Sequence, residues 1–362
     1  MDRQHLIGHA SRFAIDSPVT AVKPMGHGHV NDTYRVDTAS GSRFVLQRIN
    51  TRVFPRPALV MANLAVLAEH VESRQPAGGR WEVPRALCLR DGSGNWLSAD
   101  GEAWRLLTYV GSAHSCETVS NAGQAHELGR ALGIFHQLIH DLPTRRLADT
   151  LEGFHVTPRY LATYDEVLKQ PQASPCDASH WCEAFVAERR ALAPVLEQAR
   201  ASGRLRLRPI HGDPKANNVM LCARSGRAVA MVDLDTVKPG LVHYDIGDAL
   251  RSGCNPLGEE TLDLEGVRFD LERCEAMLRG YLNESRRFLS EADLAHLFDA
   301  IRLLPFELGL RFFTDHLAGN EYFKVQHQRQ NLDRARVQFR LTQSIEAQEA
   351  EIRNLITQLV DP

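Results

Sequence analysis

The spacing of apolar residues changes near residue 110, and that change constrains the fold more than any other feature of the chain. Before it, apolar and polar residues alternate in short runs, AVKPM (21–25), TYRVDTA (33–39) and RFVLQRIN (43–50), separated by GHGHVND and SGS. A period of two is that of a half-buried strand, and Gly, Asn and Asp suit tight turns, so these runs predict a small antiparallel sheet. EVPRALCL and EAWRLLTYV predict two further strands, and apolar residues at helical spacing across 56–74 predict one helix packed on the sheet. Beyond about residue 120 the spacing is helical, in 121–142, 181–203, 271–288, 292–317 and a polar C-terminal helix from Asn331 to Val360. The 362 residues also exceed what one small core serves. The expected architecture is α+β with two lobes: β-rich residues 1–110, a hinge near 107–111, and a helical lobe over 112–362.

One stretch of the helical part departs from its surroundings. PIHGDPKANNVML (209–221) sets a His, an Asp, a Lys and two Asn between strand-like RLRLRPI and NVMLC, and RSGR (224–227) then turns the chain into AVAMVDLD. Asp213 and Asn218 stand five positions apart, the offset of the base Asp and the metal-binding Asn in a kinase catalytic loop, and His211 completes the match. Asp233 ends the apolar run after the hairpin, where a second metal carboxylate belongs. Asn218 and Asp233 suit Mg²⁺, a hard cation that takes a carboxylate or two together with phosphate and water. Asp213 would accept the proton of the attacking hydroxyl, and Lys215 would meet the transferring phosphoryl group as a point charge. An Asp or an Asn alone in a turn usually serves the backbone; the joint pattern carries the argument for phosphoryl transfer. His211 is read as a structural residue that bonds the loop backbone, and Asp235 as a spectator or a backbone clamp.

HGDPKANN, followed by VDLDT and YDIGDALR, resembles the aminoglycoside phosphotransferase and choline kinase family of the protein-kinase-like fold. GHVNDTYRV, FVLQRIN followed by VFPRP, VDLDTVKPGLVHYDIGDALRSGCNP and ELGLRFFTDHLAGNEYFKV are similar, over nearly the full length, to the N-acetylhexosamine 1-kinases within it. The resemblance implies a two-lobed kinase-like fold, ATP as co-substrate with Mg²⁺, and phosphorylation of the anomeric hydroxyl of N-acetylglucosamine or N-acetylgalactosamine to give the 1-phosphate and ADP. It also implies that Arg311 and Tyr322 contact the sugar and that Asp245 and Asp248 brace the catalytic loop.

Other segments refine the picture. In GHGHVND, Gly26 and Gly28 would let a flap approach the phosphates, although the full G-x-G-x-x-G is lacking, and His29 is polar enough to touch substrate. Thr108, Tyr109 and Val110 of the hinge would line the nucleotide. Where a kinase strand offers V-A-I-K, this chain has Gln47 beside Arg48, so either Gln47 makes a neutral contact or Arg48 reaches around. Glu307, Arg311 and Asp315 fall at successive i, i+4 positions, the pattern of a surface salt-bridge ladder. Their apolar surroundings argue instead that Arg311 is partly buried, where a specific partner is needed.

Charge and composition bound the alternatives. A net charge of −3 gives no broad basic field for nucleic acid, no apolar run approaches the length of a membrane span, and the N-terminus lacks a signal-like apolar segment, so a soluble cytoplasmic protein is expected. The seven cysteines include no C-x-x-C pair and are read as reduced. Two other functions stay open: a small-molecule kinase with another acceptor (aminoglycoside, amino alcohol or other sugar), and a nucleotide-binding relative without turnover, which the missing Lys keeps alive. An aminoglycoside site should show many carboxylates and a choline site an aromatic cage; neither is evident in 305–325.

Overall fold

A computed structural model describes residues 2–26, 30–74, 79–99, 101–170 and 176–360. The N-terminal part is a five-stranded antiparallel sheet of β1 (Val19–Pro24), β2 (Asp32–Thr38), β3 (Arg43–Ile49), β4 (Leu97–Ala99) and β5 (Glu102–Thr108), in the order β1-β2-β3-β5-β4. The alternation along β2, β3 and β5 sorts their side chains onto two faces. On one face Val36, Leu46, Trp104 and Leu106 pack against Leu6, Ala10 and Phe13 of or just after α1 (Arg3–Ser11). That helix was not anticipated from the sequence; its local signal is the Asp2 N-cap, whose carboxylate accepts from the Gln4 N–H. On the other face Ile49, Ala103 and Leu107 join Val60, Met61, Leu64 and Leu67 of α2 (Pro57–Val71).

EVPRALCL is not a strand. Pro84 removes a donor from its middle, and the segment makes only isolated bridges, Glu82 with Ala230, Ala86 with Leu107 and Leu89 with Phe13.

After the sheet come β6 (Ala113–His114), α3 (Ala122–Ile139), α4 (Thr157–Leu168), α5 (Asp177–Arg189) and α6 (Val195–Ala201). A β-rich insert follows, with β7 (Arg208–Ile210), β8 (Val219–Cys222), β9 (Ala228–Met231) and β10 (Lys238–Gly240), where β6, β8 and β9 form one small sheet and β7 pairs with β10. The chain ends in α7 (Val242–Gly253), α8 (Leu271–Ser285), α9 (Glu291–Ala295), α10 (Leu297–Leu317), α11 (Gln330–Ala347) and α12 (Glu349–Val360). Three expected helices are broken: 181–203 at Pro194, 292–317 at His296, and the C-terminal one at Gln348. Among the described residues no helix is long and apolar enough to cross a membrane.

The α+β, two-lobed organisation is as expected, but the two parts share one core. Residues of α2 and of the sheet belong to the same buried cluster as α3, α7, α8 and α10. Asn63 of α2 strengthens the junction: its amide donates to the carbonyls of Ala148 (2.8 Å) and Val237 (2.9 Å) and accepts from the Ala148 N–H (2.8 Å).

The tightest packing is between α3 and α8, where glycines let backbones touch. A Cβ on Gly129 would stand 1.9 Å from the Met277 carbonyl oxygen, and one on Gly280 would stand 2.2 Å from that of His126. Gly129→Ala would gain about 1 kcal/mol of helix propensity but must push two backbones apart, so a net loss of about 1–3 kcal/mol is expected. Urea unfolding checks this; a variant as stable as the parent would show that the crossing tolerates a methyl group.

Candidate active site

The loop between β7 and β8 is held from beneath by α7. Asp245, fully buried, accepts the N–H of His211 at 2.7 Å and that of Gly212 at 2.8 Å, and takes a third bond from His136 Nε2 at 2.8 Å. Burial acts to raise its pKa, but the His136 and His211 partners hold it below the ordinary carboxylate value. Gly212 has φ +88°, and a Cβ there would meet the Thr236 carbonyl oxygen at 2.6 Å, so the loop lies directly against the segment that follows β9. The Thr236 hydroxyl donates to the His211 carbonyl at 2.8 Å. His211 is itself buried, and burial depresses its pKa, which leaves a neutral ring at neutral pH. Its Nδ1 accepts the Asp213 N–H at 3.2 Å and its Nε2 faces the Val232 carbonyl at 3.1 Å, so the ring spans the loop and the strand end. Opposite, His155 joins the Gly212 carbonyl (2.8 Å) to Glu307 of α10 (2.8 Å).

Above this frame stand the predicted reacting groups. Lys215 Nζ lies 2.8 Å from Asp213 Oδ2, and the Asn218 amide donates to the Asp213 carbonyl at 2.8 Å and to its carboxylate at 3.2 Å. Burial opposes the Asp213 charge, yet Lys215 above all, with His211 and Arg251, keeps its pKa below the ordinary value, so this carboxylate is ionised at neutral pH. The Asn218 nitrogen is committed to Asp213, and its side-chain oxygen makes no hydrogen bond among the described residues.

Asp233 sits at φ 62°, a left-handed conformation that ends β9 sharply. Its carboxyl is open to water but lies in a crevice, where desolvation and the nearby Asp235 and Asp213 charges push its pKa up to about 6. The Asp233 carboxylate and the Asn218 amide oxygen are hard oxygen donors of the type a divalent cation takes together with phosphate and water, while among the described residues no group of three or more His, Cys, Asp or Glu side chains is placed to hold a metal by itself.

The nucleotide side differs from expectation in one respect. Arg48 does not reach the cleft: it lies on the α1 face of the sheet and is held there by Asp32 and Glu102. Gln47, on the cleft face, accepts from Arg105 of the paired strand β5 at 2.7 and 3.0 Å. Arg105, 2% exposed, lies 2.6 Å from Asp235, close enough for an ion pair though not aligned for a hydrogen bond. Asn31 donates to the other Asp235 oxygen at 2.7 Å, so Asp235 is neither a spectator nor a backbone clamp but a tie between the lobes. The cation absent from β3 thus stands on its neighbour. Sequence reasoning missed Arg105, whose signal is its place opposite Gln47 in the β3–β5 register.

Gly26, with φ +74°, turns the chain between β1 and β2; Gly28 and His29 lie outside the described residues. Thr108 ends β5, and the backbone groups of Tyr109 and Val110 make no hydrogen bond among the described residues, as an adenine edge would need.

A cavity of about 180 Å³ adjoins Asp213 and is lined also by Lys215, His155, Asp248, Glu307, Arg311, Tyr322 and Phe323. The salt-bridge ladder of α10 does not form. Glu307 accepts from Thr157 at 2.6 Å and pairs with His155, while Asp315 accepts the N–H groups of Tyr322 (2.8 Å) and Phe323 (3.0 Å) and so sets the chain after the helix. Arg311 is left with no ion pair or hydrogen bond among the described residues. Its guanidinium lies 5.0 Å from the ring centres of Phe154 and Tyr160, 5.4 Å from that of Phe323 and 5.9 Å from that of Tyr322. The aromatic cage not evident in 305–325 therefore exists, assembled from two distant segments, and an internal cation fills it.

The family model described as the phosphotransferase enzyme family matches residues 21–281. Among solved structures, the chain is similar to a microcompartment-associated aminopropanol kinase (16% identity, TM-score 0.66, 96% of this chain and 98% of that one). It is also similar to an aminoglycoside phosphotransferase from Alicyclobacillus acidocaldarius (14%, 0.63, 99% and 97%). A third is an amicoumacin kinase in complex with AMP-PNP, Ca²⁺ and its substrate (17%, 0.58, 99% and 94%). At these identities the likeness is one of fold.

The raised pKa of Asp233 has a consequence for stability. A carboxyl whose folded pKa lies above its unfolded value of 3.8 contributes stability that is full below that value and is lost as pH rises through about 6. Metal-free Asp233→Asn should therefore melt at a higher temperature than the parent at about pH 8, with the difference shrinking towards about pH 5. Parallel melting curves at both pH values would mean that Asp233 is not destabilised by its neighbours.

Proposed function

The chain belongs to the phosphotransferase enzyme family, and from that premise we infer that it phosphorylates a neutral sugar, transferring the terminal phosphoryl group of ATP to the anomeric hydroxyl of an N-acetylhexosamine. That it is an ATP-dependent small-molecule phosphotransferase acting on an alcohol follows from the family; the acceptor is our reading. In that reading Asp213 takes the proton of the attacking hydroxyl as the new O–P bond forms, and ADP leaves with the electrons of the bond that breaks. Lys215, which neutralises Asp213 at rest, turns towards the transferring phosphoryl group and frees the base. Asn218 and Asp233 would hold Mg²⁺, which when bound supplies neutralisation of the phosphate charge. Arg105 orients Gln47 and Asp235 at the edge of the phosphate site.

The observation that carries the acceptor assignment is Arg311. A guanidinium without a hydrogen-bonding partner among the described residues, set among aromatic rings in the cavity beside the base, offers donors to ring hydroxyls and an acetamide carbonyl together. It also argues against a cationic acceptor. Lys215, Arg251, Arg311, Lys324 and Arg334 line the cavity beside Asp213, Asp248, Glu259 and Glu307, so five cations outweigh four carboxylates, a balance that does not favour a polycation. An amino alcohol would find the aromatic cage already filled. Similarity to kinases named for aminopropanol and aminoglycosides therefore supports the chemistry rather than the acceptor.

A ³¹P NMR time course with ATP, Mg²⁺ and a panel of free sugars, amino alcohols and aminoglycosides tests this. The expected signal is a sugar 1-phosphate with N-acetylglucosamine or N-acetylgalactosamine, slowed in Asp213→Asn by roughly 10²- to 10⁴-fold. Product from an amine alone would retain the kinase and reject the sugar. No product from any member of the panel would favour a nucleotide-binding protein without turnover.

A further inference from the structure

Two acids of α7 look equivalent in sequence, but the fold separates them. Asp245 gives both oxygens to the catalytic loop, as described. Asp248, one turn on and 6% exposed, makes no hydrogen bond to that loop among the described residues and is tied instead within its own helix. Its Oδ1 is held by Arg251, with Nε and Nη2 both at 2.8 Å, and Arg251 reaches on to Glu259 at 3.3 Å. Its Oδ2 is buried and has no hydrogen-bond partner among the described residues. Asp248 also lines the cavity that holds Asp213 and Arg311.

Most buried polar atoms are satisfied, so a carboxylate oxygen left alone, on a residue that also lines a cavity, needs a reason. The other carboxylates around it are committed, Glu307 to His155 and Thr157 and Asp213 to Lys215 and Asn218. One acceptor (Asp248 Oδ2) and one set of donors (Arg311) are left over. Arg251 fixes the carboxylate through its other oxygen, so Oδ2 cannot turn away to find a partner elsewhere.

We propose that Asp248 Oδ2 accepts a hydrogen bond from a donor on the acceptor molecule other than the attacking hydroxyl, either a second hydroxyl or an amide N–H. Asp248 is then a specificity-determining residue that reads polyhydroxylated or amidated acceptors and rejects simple alcohols. The proposal rests on the cavity being the acceptor site. A site built to bond a donor discriminates against its absence because the buried acceptor is again left alone.

The test is steady-state kinetics of wild type and Asp248→Asn with N-acetylglucosamine, a series of analogues each lacking one hydroxyl, and the analogue in which the amide N–H is replaced. With wild type, removal of one donor should lower kcat/KM by roughly 10- to 100-fold, carried mainly by KM. Asp248→Asn should lose a similar factor on the parent sugar and little more on that one analogue. Equal losses on parent and all analogues, or no loss, would overturn the assignment. If Asp248→Asn does not fold, the wild-type series still decides, because analogues all within about 3-fold of the parent leave Asp248 nothing to read. If wild type turns over no N-acetylhexosamine, the acceptor reading fails by itself. The same two enzymes are then compared on the alcohol found by the panel and on its analogues lacking one donor, with the same two outcomes deciding.

Discussion

The site depends on one buried carboxylate. Asp245 gathers the N–H groups of His211 and Gly212, and charged hydrogen bonds of this kind contribute about 1.5–3 kcal/mol each. Its backing by His136, itself bonded to Tyr281 of α8 at 3.0 Å, ties the loop to the rigid α3–α8 crossing. From there the order passes outward. Gly212 rests on Thr236, His211 steadies the Asp213 backbone, and His155 connects the loop carbonyl to the helix that carries Arg311. Asp213 and the cavity beside it, the proposed base and acceptor site, are thus fixed to a single frame, although their residues come from segments about a hundred positions apart in the chain.

A second buried carboxylate, Asp235, does for the two lobes what Asp245 does for the loop. It stands two residues past Asp233, the proposed metal ligand, and takes Asn31 from the segment before β2 and Arg105 from β5. The sheet is therefore coupled to the segment after β9 through charge as well as through the core that α2 shares with the helical part. A missing β3 lysine reads in isolation as a defect. In the folded chain it is the absence of one cation next to the presence of another, held by its own carboxylate.

Much of this was legible before the structure, and the reasons differ between elements. The alternation of β2, β3 and β5 and the apolar periodicity of α3 and α8 are local signals, and they locate those elements well. The spacing of His211, Asp213, Asn218 and Asp233 is local too, because a short loop and a hairpin leave few ways to arrange them. Pro84 and Pro194 were visible but outvoted by their apolar neighbours, and each interrupts the element expected across it. What could not be read was whatever depends on two distant segments meeting. The cage needs Phe154 and Tyr160 from before and at the start of α4 beside Tyr322 and Phe323 from after α10. The fates of Arg48 and Arg105 needed the sheet register, since adjacent residues on a strand point to opposite faces.

The filled cage bears on how such a protein could change over generations. Rings arranged around a cation are a means of recognising quaternary ammonium compounds, and this chain keeps the rings while supplying the cation from position 311. In the proposed reading, preference for a neutral or a charged acceptor then hangs on the length of one side chain, with the loop over 209–221, the proposed metal ligands and the four rings left as they are. Because His155 ties the loop carbonyl to the helix that carries Arg311, a change in the cage takes place against a catalytic-loop frame that Asp245 holds independently of the rings. A lineage could exchange substrate class without passing through an inactive ancestor.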